Sequence, residues 1–109
     1  MDLKTISPQE LQQRMKNDKQ LCILDVRAED KYENDHIEGS GIQSINIPKT
    51  LIFDLANDDA IAGLPKDQEI IVTCTTGNSA KKCAAILKEN DYNVTVLDGG
   101  ITAWREFNE

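Results

Sequence analysis

One stretch holds residue types at a spacing that could do covalent chemistry: Val72-Thr73-Cys74-Thr75-Thr76-Gly77-Asn78-Ser79-Ala80-Lys81. The apolar run Ile70, Ile71 and Val72 predicts a short strand that ends at the cysteine. A turn of small polar residues follows, and a helix is predicted from near Ser79. A thiol at such a junction sits where backbone N–H groups converge and the positive end of a helix dipole points. That environment favours the thiolate, which is the nucleophilic form. Gly77 suits the point where the chain must curl tightly with a positive φ. The plainer reading is a cysteine buried for packing, since cysteine is among the most buried residue types. The strand–turn–helix setting favours the reactive one, with Cys74 in an anion-binding cradle of N–H groups from Thr75 to Ser79. The Ser79 hydroxyl has two open uses, as part of that cradle or as a cap on the helix.

The rest of the chain must position this cradle. Thr5-Ile6 reads as an opening strand, and Ser7-Pro8-Gln9-Glu10 combines a capping box with proline at the first helical position. Leu11 and Met15 give that helix an apolar stripe, with its end expected at Asn17-Asp18. Leu21-Cys22-Ile23-Leu24 is a continuous apolar run, the mark of a strand buried on both faces of a parallel sheet. Asp25-Val26-Arg27 closes it, and Ala28 to Asn34 reads as a short polar helix. His36 to Ser44 is predicted as loop, Ile45-Asn46-Ile47 as a brief strand stopped by Pro48, and Leu51 to Leu55 as a helical turn. Asn57-Asp58-Asp59, with Gly63 and Pro65, reads as surface connection. Beyond the strand Glu69 to Thr73, Ala80, Cys83, Ala84 and Leu87 fall at i, i+3, i+4 and i+7, one face of an amphipathic helix ending at Asn90-Asp91. Val94 to Leu97 is a last strand, Gly99-Gly100 a turn, and Ile101 to Phe107 a final helix. Strands alternating with helices imply an α/β fold: a mostly parallel central sheet of about five strands with helices on both faces. In such sheets ligands bind beyond the carboxyl ends of the strands, where Cys74 stands.

Composition bounds the function. With 109 residues the chain reads as a single domain over residues 1–109, long enough for one core. A net charge of −7 without a basic run argues against nucleic acid. No apolar run approaches the length of a membrane span, and no secretory signal follows Met1-Asp2-Leu3-Lys4, so neither membrane nor export is expected. Cys22, Cys74 and Cys83 form no paired framework, which fits a reducing cytoplasm. With His36 as the single histidine and no C-x-x-C, no metal or cofactor is expected.

Several stretches together resemble the rhodanese (thiosulfate sulfurtransferase) family in its single-domain form. Leu24-Asp25-Val26-Arg27 with Tyr32 and His36-Ile37 resembles the first signature; Gly39 and Ile45-Asn46-Ile47-Pro48 resemble the segment after it. Cys74 to Ser79 resembles the active loop, and Leu97-Asp98-Gly99-Gly100-Ile101 with Ala103-Trp104 resembles the closing signature. The similarity runs from about Ser7 to Phe107. Two departures stand out. Gly41-Ile42-Gln43-Ser44 lengthens one loop, and Ser79 takes a place where many members have arginine.

The resemblance implies sulfur transfer through a Cys74 persulfide, from thiosulfate, polysulfide or a persulfide to cyanide or a thiol acceptor. Thr75, Thr76, Gly77, Asn78 and Ser79 would hold the anionic donor. Lys81 and Lys82, cations in a first helical turn, are either solvated or replace part of the arginine's field, and Lys81 is taken as a donor contact. Asp25 and Arg27 would be a structural ion pair, His36 a loop anchor and Trp104 a core anchor, with Cys22 and Cys83 inert packing. The alternative function is a non-enzymatic persulfide carrier or interaction module delivering sulfur to a partner protein. A cysteine phosphatase is disfavoured, because its loop needs arginine where this chain has Ala80. A Walker-type phosphate loop lacks its Gly-Lys-Ser/Thr pattern.

Overall fold

A computed structural model describes residues 3–17, 21–37, 39, 41–53 and 63–108. The strands are β1 (Lys4–Ile6), β2 (Leu21–Asp25), β3 (Ile42–Asn46), β4 (Ile70–Thr73) and β5 (Val94–Leu97). The helices are α1 (Pro8–Asn17), α2 (Glu29–Asn34), α3 (Lys49–Phe53), α4 (Asn78–Glu89) and α5 (Gly100–Phe107). The five strands form one sheet in the order β1-β5-β4-β2-β3, with every neighbouring pair parallel.

The continuous apolar runs explain this arrangement. Successive side chains of a strand point to opposite faces, and β2, β4 and β5 are buried along their whole lengths. Cys22, Leu24, Ile70, Val72, Val94 and Val96 join one core cluster, closed by Ile52 of α3 and by Ala80, Cys83, Ala84 and Leu87 of α4. Leu21, Ile23, Ile71 and Leu97 join the other, closed by Leu11 of α1 and Ile101 of α5, with Trp104 packed against it. The expected α4 stripe is therefore the stripe that is buried. At the start of α1 the capping box is closed in both directions: Glu10 N–H donates to Ser7 Oγ at 3.1 Å and Ser7 N–H to Glu10 Oε1 at 3.4 Å.

Connectivity fixes where a ligand site can form. From β2 the chain turns outward to β3, whereas from β4 it turns the opposite way to β5. The neighbours β2 and β4 therefore send their following segments apart, leaving a crevice at their carboxyl ends. Cys74 is the first residue beyond β4.

Several boundaries shift by a residue or more from expectation, most of all in β3 and α3. The third strand spans Ile42–Asn46 rather than Ile45 to Ile47, so the added residues Ile42-Gln43-Ser44 extend the sheet instead of a loop. Their order comes from pairing Leu21 to Ile42, Cys22 to Gln43 and Ile23 to Ser44, a long-range register with no local alternation to announce it. Helix α3 begins earlier, at Lys49, directly after Pro48. Helix α4 begins at Asn78. The expected helix end at Asp18, the far end of α3 at Leu55 and the connection Asn57-Asp58-Asp59 lie outside the described residues.

Candidate active site

Beyond β4 the chain curls so that its amides point back at its own sulfur. Gly77 N–H donates to Cys74 Sγ at 3.0 Å and Ala80 N–H donates to it at 3.3 Å. Gly77 makes this possible with φ of 102°, a conformation that a Cβ would penalise. The Ala80 amide is one of the unpaired donors of the first turn of α4, so the helix end contributes both a hydrogen bond and its dipole. The cradle expected from Thr75 to Ser79 therefore extends to Ala80, as the rule that early helical amides lack internal partners implies. Cys74 itself is only 5% exposed, yet it is one of the residues that line a cavity.

A second segment holds this loop from below. Ile101 N–H donates to the Cys74 carbonyl at 2.8 Å and Thr102 N–H to the Thr75 carbonyl at 3.0 Å, so the start of α5 grips the loop backbone. Gly100 lies in this contact with φ of 62°, and a Cβ there would stand 2.5 Å from the Cys74 carbonyl oxygen and 2.7 Å from that of Thr75. Gly99-Gly100, a turn by sequence, is thus also a seat for the nucleophile.

A cavity of about 200 Å³ opens over the sulfur. Its floor and one side are Cys74, Thr75, Thr76 and Ser79 from the loop. Val26, Arg27 and Ala28 approach from the end of β2, Lys31 from α2 and Lys49 from α3. Three of the six expected donor contacts need restating. Thr75, Thr76 and Ser79 line the cavity, whereas Gly77 is buried and meets the sulfur only through its N–H. Asn78 and Lys81 are exposed and do not line it. The reason is helical geometry: Lys81 is about 200° around α4 from Ser79, so when one faces the cleft the other faces away. The capping use of Ser79 is also corrected, because the cap position is Gly77 and Ser79 lies inside the first turn, its hydroxyl accepting from Lys49 Nζ at 3.4 Å.

The remaining polar residues of interest hold the rim. Arg27 Nε donates to both Asp25 oxygens at 3.0 Å and Nη2 to Oδ2 at 2.7 Å, in a pair that is 8% and 1% exposed. Arg27 Nη2 also donates to the Asp35 carbonyl, and Asn46 Nδ2 binds the carbonyls of Asp25 and Arg27 at 2.9 and 3.0 Å. A buried charge pair this fully bonded orients loops, and its guanidinium is already neutralised by Asp25. His36 stacks on Tyr32 with ring centroids 4.0 Å apart and bonds the Tyr32 carbonyl through Nδ1 at 2.7 Å, which places a proton on Nδ1. It does not line the cavity.

Cys22 and Cys83 are fully buried in the sheet–α4 core. Burial pushes the Cys83 thiol from 9.0 to about 12; the nearby Cys74 sulfur adds to the rise and Lys49 opposes it. Because the folded value is the higher one, the stabilisation from keeping this thiol neutral is complete below pH 9.0 and is lost as pH rises toward about 12. Comparison of wild type with Cys83→Ala by chemical denaturation across that range is expected to show the gap in stability closing by about 1 kcal/mol per pH unit. A constant gap would contradict the burial effect.

With this geometry in hand, comparison with known proteins gives a consistent answer. Residues 7–107 match the rhodanese-like domain family. The chain is 35% identical over 101 residues to a probable adenylyltransferase/sulfurtransferase, MoeZ, of Mycobacterium tuberculosis; the match takes in 92% of this chain but only 24% of that protein. It is 31% identical to the thiosulfate sulfurtransferase GlpE of Shewanella oneidensis, over 87% of this chain and 86% of that one. The crystal structure of a rhodanese-related protein from Thermoplasma volcanium superposes with a TM-score of 0.75 at 25% identity, covering 95% of this chain and 92% of that one. Sulfur transfer is the chemistry that the two curated names share. A five-stranded parallel sheet, a cysteine at its crevice and a family match over nearly all of the sequence lead to one assignment: this chain belongs to the rhodanese-like domain family.

Proposed function

We propose that the chain is a rhodanese-type sulfurtransferase in which Cys74 carries the sulfur, moving it from thiosulfate, polysulfide or a persulfide to cyanide, a thiol or a sulfur-accepting protein. The observation that carries the proposal is the pair of amides, Gly77 and Ala80, aimed at a sulfur that opens into a cavity. With thiosulfate, the Cys74 thiolate attacks the outer sulfur. The S–S bond of thiosulfate breaks, sulfite leaves with its electron pair, and a Cys74 persulfide anion remains. Cyanide then attacks the outer persulfide sulfur, thiocyanate leaves, and the thiolate is restored. Neither step moves a proton, so the absence of His36 from the cavity is no obstacle. The amides stabilise negative charge on sulfur throughout, and Thr75, Thr76 and Ser79 would contact the donor.

The names of the relatives favour turnover over a purely carrying role. The three cysteines are free thiols, which supports a reducing cytoplasmic setting. No described helix is long and apolar enough to cross a membrane. The test is thiocyanate formation from thiosulfate and cyanide by purified protein. Multiple turnovers per chain are expected. Loading of one sulfur without turnover would replace the enzyme by the carrier, and no loading from any donor would remove both.

A further inference from the structure

The geometry points to Lys49 as the residue that selects an anionic donor, a cation supplied to the cleft by α3 in place of one in the active loop. Cys74 to Ser79 contains no cationic side chain. Among the cations that line the cavity, Arg27 is committed to Asp25. Lys31 and Lys49 remain, and among the described residues neither forms an ion pair. Lys49 is the better placed. Its backbone N–H donates to the Val26 carbonyl at 2.9 Å, pinning the start of α3 to the end of β2. Its ammonium reaches across to Ser79 Oγ at 3.4 Å, bridging α3 to the first turn of α4 beside the nucleophile. The same charge acts as far as Cys83, beneath the loop. In a chain of net charge −7, an anion approaching the sulfur needs such a local positive field. Lys81, the cation that adjacency in sequence suggests, faces out of the cleft.

The inference deepens the sulfur-transfer proposal and rests on it for the identity of the anion. Its test reads the field at Cys74 without sulfur chemistry. Native protein is alkylated with iodoacetate, an anion, and with iodoacetamide, its neutral counterpart of similar size; each forms a C–S bond at Cys74 and expels iodide. A change in the thiolate fraction alters both rates alike, so their ratio isolates attraction of the anion. Lys49→Gln is expected to lower the iodoacetate-to-iodoacetamide ratio by about threefold to tenfold, as Coulomb attraction over several ångströms implies. Lys49→Arg should keep the ratio, and Lys81→Gln should change it less than about twofold, as for a screened surface charge. An unchanged ratio in Lys49→Gln, equal loss of both rates, or an equal effect from Lys81→Gln would each overturn the proposal. A Lys49-dependent ratio in a protein that accepts no sulfur would instead keep the anion selectivity and remove the sulfur-transfer reading.

Discussion

Cys74→Ser is expected to lower thiosulfate:cyanide turnover by on the order of 10³-fold or more while leaving the fold intact. The loss follows from covalent relay: a hydroxyl at this position is far too weakly acidic to attack the donor, and no second thiol can take over. Cys22 and Cys83 are fully buried, and burial raises both thiols. The fold should survive because the substitution is nearly isosteric and the new hydroxyl can accept the same amide hydrogen bonds from Gly77 and Ala80. A melting curve and circular dichroism spectrum close to wild type should accompany the kinetic loss. Retained turnover in Cys74→Ser would show that the nucleophile lies elsewhere.

Gly100→Ala is expected to damage both stability and activity, although Gly100 is not part of the active loop. Two costs combine. The φ of 62° is a left-handed conformation that costs an L-residue about 1–2 kcal/mol. The added methyl also meets two fixed carbonyl oxygens, at 2.5 and 2.7 Å, and backbone cannot rotate away as a side chain could. Overpacking of this kind costs about 1–3 kcal/mol. Relief requires the loop and the start of α5 to part, stretching the bonds from Ile101 and Thr102 to the carbonyls of Cys74 and Thr75. A displacement of about 1 Å at the nucleophile can lower the rate by about 10²-fold. Denaturant unfolding and steady-state kinetics on the same preparation should show both effects. A Gly100→Ala enzyme with normal stability and kcat would mean that the α5 contact does not position the loop.

These expectations differ in how much of them the chain declares locally. The cradle was legible because its parts are consecutive: an apolar strand, Cys74, a small-residue turn with Gly77, and a helix. The α4 stripe Ala80, Cys83, Ala84 and Leu87 was legible for the same reason, and it is the face that is buried. The signatures around Asp25 to His36 and Leu97 to Trp104 carried the family because each is a short continuous string. What escaped depends on chain segments meeting in space. The early start of β3 is set by pairing with β2, across sequence that holds no shared pattern. The seat under Cys74 comes from α5, whose Gly99-Gly100 reads in isolation as an ordinary turn. Adjacency in sequence points to Lys81 as a cation for the cleft, whereas the α3 start, bonded to Val26, brings Lys49 to the cavity wall. Side-chain direction around a helix, not proximity along the chain, decided between the two lysines.

The proposed transfer stands or falls on sulfur bound covalently to Cys74, which intact mass reads without any coupled assay. Wild-type protein exposed to thiosulfate or polysulfide under non-reducing conditions should gain the mass of one sulfur atom, lose it on addition of cyanide, and show no gain as Cys74→Ser. A wild-type protein that gains no sulfur, or a Cys74→Ser protein that gains as much, would contradict the account.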